Sequence, residues 1–321
     1  MLLDAFWGNA QVVRRLLSLL WILGLVGTAP TAVPAQERGA VFHDSHPVFS
    51  PDGRTIAFDR SSDTSQSIML VDSDGRHLRT LVANQFAQYI SWSPDSGSFA
   101  YSGVGIWRID LANPTPRLLT EQNPDIWQPA WSPDGTSIAY SQFERCFRCT
   151  GIWVMKADGT QRHEIVEQGR HPSWSPNGSL LAVTTSETGN LIVRLDGSLA
   201  ARGFADYVSW SPRGTYLAYT RVGLHLRNIR TGRDRKLNRY LGEKPAWSPD
   251  GKVIAGGFRT RVAFLRVRDG KLLKVLPGST TNPGAPSWSP QGRLAFVHSG
   301  SCGIDVSTEN GTGIRRTTRS C

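Results

Sequence analysis

One phrase recurs seven times in this chain and is clearest as Gln128-Pro129-Ala130-Trp131-Ser132-Pro133-Asp134-Gly135-Thr136-Ser137-Ile138-Ala139-Tyr140. Each copy is centred on an aromatic residue, and these anchor aromatics are Phe49, Trp92, Trp131, Trp174, Trp210, Trp247 and Trp288. Successive anchors lie 43, 39, 43, 36, 37 and 41 residues apart. Periods in this range are typical of solenoids and propellers.

Each copy predicts four short strands. The first ends at the anchor aromatic, and a Ser-Pro-Asp-Gly turn leads to an apolar second strand such as Ser179–Val183. A third strand, such as Gly105–Asp110, is followed by a tight glycine-containing turn and a more polar fourth strand, such as Arg117–Thr120. Four antiparallel strands per ~40 residues, repeated radially, predict an all-β, seven-bladed β-propeller over residues 46–321. An open solenoid is disfavoured, because neither end carries an atypical polar capping repeat.

The recurring aromatic and turn are interpreted as scaffold. We expect the anchors to pack between neighbouring blades. The aspartate of the turn is replaced by Asn177, Arg213 and Gln291 in other copies, while a glycine persists. This variation indicates a backbone requirement and argues against a catalytic carboxylate.

The N-terminus predicts a signal peptide over residues 1–35. Arg14 and Arg15 precede an apolar run from Leu16 to Val26, and small residues end at Ala35. The alternative is an uncleaved anchor, but the run is short for a bilayer, which needs ~20 apolar residues. We therefore expect cleavage after Ala35, a short segment over residues 36–45, and a periplasmic or extracellular protein without an integral membrane span.

Four cysteines suit an exported protein, where disulfides persist. Cys146 and Cys149 form a C-x-x-C pair in the longest predicted loop. No thioredoxin-like βαβ pattern surrounds it, which favours a structural disulfide over a redox-active pair. Cys302 and Cys321 fall at adjacent ends of the third and fourth strands of the last copy, which predicts a second disulfide.

The chain has a formal net charge of +10, with arginine concentrated late in the sequence. A basic balance attracts anionic polymers, although a solvated surface explains it equally well. The excess is densest at Arg227, Arg230, Arg233, Arg235, Lys236, Arg239, Arg259, Arg261, Arg266 and Arg268. For an exported protein, anionic envelope polymers are better candidate partners than nucleic acid, which we do not expect to bind.

The seven copies of W-S-P-D-G-x-x-[IL]-A-[FY] resemble the TolB-type, WD-like propeller repeat, and the resemblance covers about residues 46–319. It implies a propeller of an exported bacterial protein that binds protein or polymer partners, without implying catalysis. Two features depart from TolB itself: where TolB has an α/β domain before its propeller, we expect only about ten residues between the signal peptide and the first blade, and seven copies replace six blades. Related repeats also occur in prolyl-oligopeptidase-like peptidases, but no G-x-S-x-G nucleophile motif is present.

The residue three before each anchor is expected to line one mouth of the central channel. These positions hold His46, Tyr89, Gln128, His171, Tyr207, Lys244 and Ala285. Converging polar groups at a concave mouth predict a ligand-binding site, and a water-filled channel lining is the alternative. The first six of these residues are the predicted ligand-binding residues.

Neither a metal nor a cofactor is predicted. Oligogalacturonate lyases resemble this arrangement, with a divalent metal held by His and Gln, and His46, Gln128 and His171 invite the comparison. The two histidines lie three blades apart, however, and cannot form a three-ligand site by themselves. Asp72-Ser73-Asp74-Gly75 resembles the start of a calcium loop but lacks its closing acid, so it is interpreted as a hairpin turn.

The favoured function is a monomeric, non-catalytic binding scaffold for a protein or an anionic cell-envelope polymer. The first alternative is a lyase-like enzyme that acts on polysaccharide at the channel mouth. A second alternative is one subunit of an assembly whose catalytic domain lies on another chain.

Overall fold

The computed structural model describes residues 41–63, 65–83, 86–143, 150–185, 189–203, 207–239, 241–258, 261–276, 285–297, 303–308 and 311–318, without the side chains of residues 242–244. Within these ranges, seven sheets of four antiparallel strands follow one another along the chain. No helix in the described part is long and apolar enough to cross a membrane. The predicted all-β, seven-bladed propeller is confirmed.

Each blade consists of four consecutive strands. Blades 1 and 2 contain β1 (His43–Phe49), β2 (Thr55–Ser61), β3 (Gln66–Asp72), β4 (Arg79–Val82), β5 (Gln88–Trp92), β6 (Ser98–Gly103), β7 (Gly105–Asp110) and β8 (Asn113–Leu118). Blades 3 and 4 contain β9 (Ile126–Trp131), β10 (Ser137–Phe143), β11 (Thr150–Lys156), β12 (His163–Val166), β13 (Arg170–Trp174), β14 (Leu180–Thr185), β15 (Gly189–Arg194) and β16 (Leu199–Gly203). Blades 5 and 6 contain β17 (Val208–Trp210), β18 (Tyr216–Thr220), β19 (Leu224–Asn228), β20 (Asp234–Asn238), β21 (Leu241–Trp247), β22 (Val253–Phe258), β23 (Arg261–Arg266) and β24 (Leu272–Val275). Blade 7 contains β25 (Ser287–Trp288), β26 (Leu294–Val297), β27 (Ile304–Ser307) and β28 (Arg315–Arg316).

The first strand of every blade ends at its anchor aromatic, as predicted. These seven innermost strands contact one another in sequence, and β25 contacts β1, so the ring is closed. One predicted fourth strand is shifted: β8 covers Asn113–Leu118, where the sequence predicted residues 117–120. The shift arises because Asp110 pairs directly with Asn113, so that a two-residue turn replaces the longer one expected.

The hydrophobic core is divided among the joints between blades. Seven clusters of buried side chains occur, and each is formed by the facing sides of two neighbouring blades. The second strands are therefore covered on both faces and read as continuous apolar runs, as in the fully buried β26. The fourth strands, such as β8 and β16, lie at the periphery and are largely exposed.

The anchor tryptophans connect blades by a hydrogen bond as well as by packing. The indole Nε1–H of Trp174 donates to the Ala130 carbonyl oxygen of the preceding blade at 2.9 Å. The anchors Trp92, Trp210, Trp247 and Trp288 donate in the same way to the residue just before the preceding anchor. Trp131 differs, because its Nε1–H donates to Gly135 of its own turn at 3.1 Å.

The serine of each Ser-Pro-Asp-Gly turn is the centre of its hydrogen bonds. Ser132 is buried, its hydroxyl donates to Asp134 Oδ1 at 2.6 Å, and its oxygen accepts the Ser137 amide N–H at 2.9 Å. The Asp134 carboxylate also accepts the Thr136 amide N–H at 3.0 Å. Asn177 makes the equivalent contacts in blade 4. The interpretation of this aspartate as a turn residue agrees with these contacts.

The two ends of the described chain meet at a buried ion pair. Arg60 donates to both carboxylate oxygens of the fully buried Asp44, at 2.7 and 2.9 Å. The Thr318 hydroxyl near the C-terminus donates to the same carboxylate at 2.6 Å. Ring closure therefore uses polar contacts that the repeat pattern did not reveal. The predicted disulfide residues Cys146, Cys149, Cys302 and Cys321 lie outside the described residues, as does the predicted signal peptide.

Several basic side chains have structural partners on the next blade. Arg108 and Arg117 donate to the carbonyl oxygens of Ala157 and Asp158 at 3.2 and 2.6 Å. Lys274 donates to the Gly311 carbonyl oxygen at 2.5 Å, and Arg235 donates to that of Val267. Part of the basic excess thus holds neighbouring hairpins together.

Candidate functional site at the channel mouth

The innermost strands begin at one face of the ring, which also carries the loops between the second and third strands. In blade 3 these two features are joined, because the Phe143 amide N–H donates to the Asp125 carbonyl oxygen at 2.7 Å. We call this the mouth face, and the opposite side, which carries the Ser-Pro-Asp-Gly turns, the turn face. The predicted ligand-binding residues lie near the starts of the innermost strands, on the mouth face.

A β-bulge occurs at the predicted mouth residue in five blades. In blade 1, Ser45 pairs with Asp59 and Val48 with Ala57, so His46 and Pro47 together oppose one residue. Blades 2, 3, 4 and 6 show the same irregularity at Tyr89, Gln128, His171 and Lys244. A bulge turns a side chain away from the regular alternation and is common beside binding sites.

Four mouth residues adopt a left-handed backbone. The φ angles are 48° at His46, 57° at Tyr89, 56° at Gln128 and 53° at His171. Residues other than glycine rarely adopt this conformation, and it costs ~1–3 kcal/mol at each position. Such strain is typical of sites where a side chain must point in one direction. A sequence signal exists for the bulge: proline, which cannot donate to a ladder, follows His46, Gln128, His171, Lys244 and Ala285.

Three aromatic rings form an arc across blades 1 to 3. The ring centroids of His46 and Tyr89 are 6.3 Å apart, and those of Tyr89 and Trp127 are 6.1 Å apart in an edge-to-face arrangement. All three side chains are half-buried, so each keeps an exposed part. Trp127 was not among the predicted site residues, because it lies four residues before its anchor Trp131, whereas the predicted residues lie three before theirs.

Gln128 joins three blades and is not open to solvent. Its side chain is 4% exposed, and its Oε1 accepts the Ser141 hydroxyl at 3.1 Å and the His171 amide N–H of blade 4 at 3.0 Å. Its own amide N–H donates to the Ser102 hydroxyl of blade 2 at 2.8 Å. Gln128 therefore fixes the spacing of the mouth residues of blades 3 and 4.

A second set of polar residues lies behind the mouth, in the second strand of each blade. In blade 3 this residue is Ser141, which directly follows the buried run Ile138-Ala139-Tyr140. His46 Nδ1 is 3.0 Å from Oδ2 of Asp59, which is largely buried. Ser102 and Ser141, which contact Gln128, occupy the equivalent position in blades 2 and 3. The full series in blades 1 to 7 is Asp59, Ser102, Ser141, Thr184, Thr220, Gly257 and Val297. This polar support is present in blades 1 to 5 and absent from blades 6 and 7.

Three of the remaining predicted residues have described side chains. His171 is exposed, while Tyr207 and Ala285 are half-buried. Lys244 lies in β21, but its side chain is outside the described part. Opposite the bulge of blade 3, burial raises the pKa of Tyr140 to about 12. Within the described ranges, His, Cys, Asp and Glu form no group of three that is placed to hold a metal ion.

The Asp72-Ser73-Asp74-Gly75 segment forms a hairpin turn. The Gly75 amide N–H donates to the Asp72 carbonyl oxygen at 2.7 Å, and the Asp72 amide N–H donates to the Arg76 carbonyl oxygen at 2.9 Å. The segment connects β3 to β4 on the turn face, away from the mouth. The turn interpretation is consistent with this geometry.

The seven four-stranded sheets define a seven-bladed propeller. Comparisons with known proteins show what this chain resembles. No known family model matches the chain. Over 244 residues it is 26% identical to the uncharacterised protein Atu1656 of Agrobacterium fabrum, a match that covers 65% of this chain and 82% of that protein. Over 74 residues it is 39% identical to the Tol-Pal system protein TolB of Alcanivorax borkumensis, covering 22% of this chain and 17% of TolB.

Solved structures show the same architecture. An oligogalacturonate lyase in complex with manganese superposes with a TM-score of 0.68 at 15% identity, covering 81% of this chain and 87% of the lyase. TolB of Acinetobacter baumannii superposes with a TM-score of 0.54 at 18% identity, covering 74% of this chain and 63% of that protein. The chain is thus a propeller that is similar to TolB in repeat sequence and in fold, as the sequence predicted.

Proposed function

We propose that this protein is an exported, monomeric, non-catalytic binding scaffold that recognises a protein or an anionic cell-envelope polymer at the mouth of its channel. The observation that carries this proposal is the left-handed backbone at the mouth residues of four successive blades. The repeat does not require it for packing, because the anchor tryptophans and turns lie at other positions. Similarity to TolB supports export and a scaffold role.

The aromatic arc supplies a surface suited to recognition. Aromatic side chains provide large contact areas with few rotatable bonds, and they dominate the binding energy of many interfaces. His46, Tyr89 and Trp127 each present one ring, and the bulges hold the first two in place. Asp59 orients the His46 ring from behind. Gln128, which follows Trp127 in β9, is itself fixed by bonds to Ser102 and His171. The arc is therefore ordered before a ligand arrives.

The test is capture of binding partners from an envelope extract by the immobilised protein. The wild type should retain a partner that the Tyr89→Ala/Tyr207→Ala double variant loses, while far-UV circular dichroism of the variant stays unchanged. As a matched control, Arg54→Gln/Arg76→Gln alters exposed residues of the turn face and should capture normally. Equal capture by the mouth variant and the wild type would refute recognition at the mouth.

A lyase-like enzyme acting on polysaccharide is the second candidate, and the His46–Asp59 pair favours it. A buried carboxylate 3.0 Å from an imidazole orients the ring, as a general base requires. Elimination from a uronate needs a base to remove the proton next to the carboxylate. Activity on uronate polymers that is lost in His46→Ala would support this function. The absence of unsaturated products, together with intact partner capture, would exclude it in favour of the scaffold.

We also propose that the chain is exported after cleavage of its signal peptide and that its four cysteines form two disulfides. N-terminal sequencing of the secreted protein should begin after Ala35. Intact mass should show Cys146, Cys149, Cys302 and Cys321 in two disulfides. Four free thiols in the secreted protein would refute both bonds.

A further inference from the structure

A groove of about 640 Å³ opens on the turn face between blades 5 and 6, away from the mouth. Its volume lies in the range of small-ligand sites. The lining residues are Tyr216, Arg235, Gly251, Lys252, Arg266, Val267 and Arg268. Four of these carry a positive charge, and the tyrosine contributes one aromatic ring.

The charges of the groove are only partly compensated. Asp269 pairs with Arg266 at 2.9 Å and with Arg268 at 3.5 Å, and Asp250 pairs with Lys252 at 3.2 Å. Four basic groups thus face two carboxylates. The Lys252 and Arg268 side chains are 81% and 76% exposed, so their ion pairs are weak and can be exchanged for an incoming anion. The Arg266 side chain is 30% exposed and donates to both Asp269 oxygens, so its pair is the firmer one.

The turns of blades 5 and 6 differ from those of the earlier blades. Between the third and fourth strands of blades 1, 3 and 4, a glycine amide N–H donates to the carbonyl oxygen three residues before it. The residue directly before this glycine is Asp74, Asp158 or Asp196. In blades 5 and 6 the corresponding bond reaches four residues back, from Gly232 to Asn228 and from Gly270 to Arg266. The longer turn holds Arg230 or Arg268 at its third position. Blade 6 keeps Asp269 before its glycine, whereas blade 5 has Thr231 there.

A second exchange adds to this basic sector. The aspartate of the Ser-Pro-Asp-Gly turn is replaced by Arg213 in blade 5, whereas blades 1, 2, 3 and 6 keep the acid. The turn face is therefore acidic or mixed on blades 1 to 3 and basic on blades 5 and 6. Blade 5 therefore has arginine in place of aspartate in both turn types, and blade 6 gains Arg268 in one of them.

We propose that the groove between blades 5 and 6 binds the carboxylate groups of a linear anionic polysaccharide. Arg266 and Arg268 contact successive carboxylates, and Tyr216 packs against a sugar ring between them. Guanidinium groups suit this task, since they donate two parallel hydrogen bonds to one carboxylate. The inference rests on the proposed function only for the class of ligand. It assigns the anionic polymer to a site separate from the mouth, which leaves the mouth for the protein partner.

The test is binding of polygalacturonate to the whole protein by biolayer interferometry at fixed ionic strength. Arg266→Gln/Arg268→Gln should weaken the apparent affinity about tenfold or more, since two charge-assisted contacts are lost. The matched control Arg54→Gln/Arg76→Gln removes the same number of charges from the turn face of blade 1 and should change it by less than about twofold. Lys252→Gln, at an exposed position, should weaken binding by about threefold even if the arginine variant fails to fold.

The remaining outcomes of this binding experiment distinguish a specific carboxylate site from attraction by net charge. Equal losses in the groove and control variants would overturn the proposal, because binding would then follow net charge alone. Unchanged binding in all of the variants would overturn it as well. Polyphosphate binding more tightly than polygalacturonate would replace the carboxylate ligand by a phosphate ligand. The mouth variant Tyr89→Ala/Tyr207→Ala should keep its affinity for polygalacturonate, so failure of the groove and failure of the mouth are distinguishable.

Discussion

Blades 1 to 4 and blades 6 and 7 are copies of one repeat that differ at the channel mouth. All of them share the anchor aromatic, the buried serine and a turn that contains glycine. Behind the mouth, the first four blades carry Asp59, Ser102, Ser141 and Thr184, whereas the last two carry Gly257 and Val297. The shared positions build the joints between blades, and the divergent positions build a polar, strained rim on one side of the ring.

This comparison separates scaffold from site without knowledge of the ligand. A residue that recurs in every blade is explained by packing or by turn geometry. A residue that differs between equivalent blades, yet has an unfavourable backbone or a buried polar partner, needs another reason. His46, Tyr89, Gln128 and His171 meet the second description.

The largest expected effect concerns the shared scaffold. Trp174→Ala in blade 4 and Trp247→Ala in blade 6 should each lower the free energy of unfolding by ~3–5 kcal/mol, because both indoles are buried between blades. Urea denaturation would measure both losses. A loss below about 1 kcal/mol at either site would mean that this anchor does not hold its joint, and the two sides of the ring would then differ in scaffold too.

Gln128 should have a smaller effect that is specific to the rim. Gln128→Ala removes the acceptor of Ser141 and of the His171 amide N–H, and should cost ~1–3 kcal/mol. Gln142 of the same blade is the matched control, since it is only half-buried, and Gln142→Ala should cost less than ~0.5 kcal/mol. Equal costs at the two glutamines would argue against a bridge across blades 3 and 4.

Backbone strain predicts an inverted preference between glycine and alanine. His171→Gly should be more stable than His171→Ala by ~0.5–1 kcal/mol, because glycine adopts a positive φ without cost. Arg202, exposed and regularly paired with Leu191 in β16, should show the opposite order, with Arg202→Gly less stable than Arg202→Ala by a similar amount. Thermal unfolding of these variants checks both signs. If alanine were better at both positions, His171 would not be strained.

The smallest effect concerns the turn carboxylates. The Ser132 hydroxyl, and then the Thr136 amide N–H, hold the pKa of Asp134 below its usual value. A carboxylate with a lowered pKa in the folded state stabilises the protein above the unfolded pKa of about 3.9, and this stability is lost as pH falls through the folded-state pKa. Asp134→Asn should therefore change stability by less than ~0.5 kcal/mol at pH 7 and should weaken its dependence on pH below about 4.

The turn prediction has a natural precedent in the chain. Asn177 already makes these contacts in blade 4, with its Oδ1 accepting the Ser175 hydroxyl at 2.8 Å. A large loss of stability in Asp134→Asn at pH 7 would show that the charge itself matters, and blades 3 and 4 would then differ in their turns.

The sequence predicted the features that repeat. Trp131 and its equivalents, the Ser-Pro-Asp-Gly turns and the number of blades all follow from local patterns that occur seven times. The repeat frame also selected the candidate mouth residues, but their bulged, left-handed geometry was not foreseen. The bulge had a signal, the proline after His46, Gln128 and His171, although proline alone does not reveal a left-handed residue before it.

Contacts between distant segments explain what the sequence did not reveal. The burial of Gln128 depends on Ser102 and His171 of the neighbouring blades. The closure of the ring by Asp44, Arg60 and Thr318 joins residues 274 positions apart. Such pairs occur once in the chain, so no internal repetition marks them.

Hydrogen–deuterium exchange on the protein with and without its captured partner tests the central claim most directly. If recognition takes place on the rim of blades 1 to 4, the partner should slow exchange in residues 43–49, 88–92, 126–131 and 170–174. Residues 285–288 of blade 7 should exchange at the same rate in both states. Protection confined to blades 6 and 7, or spread evenly over all seven mouth positions, would contradict the account.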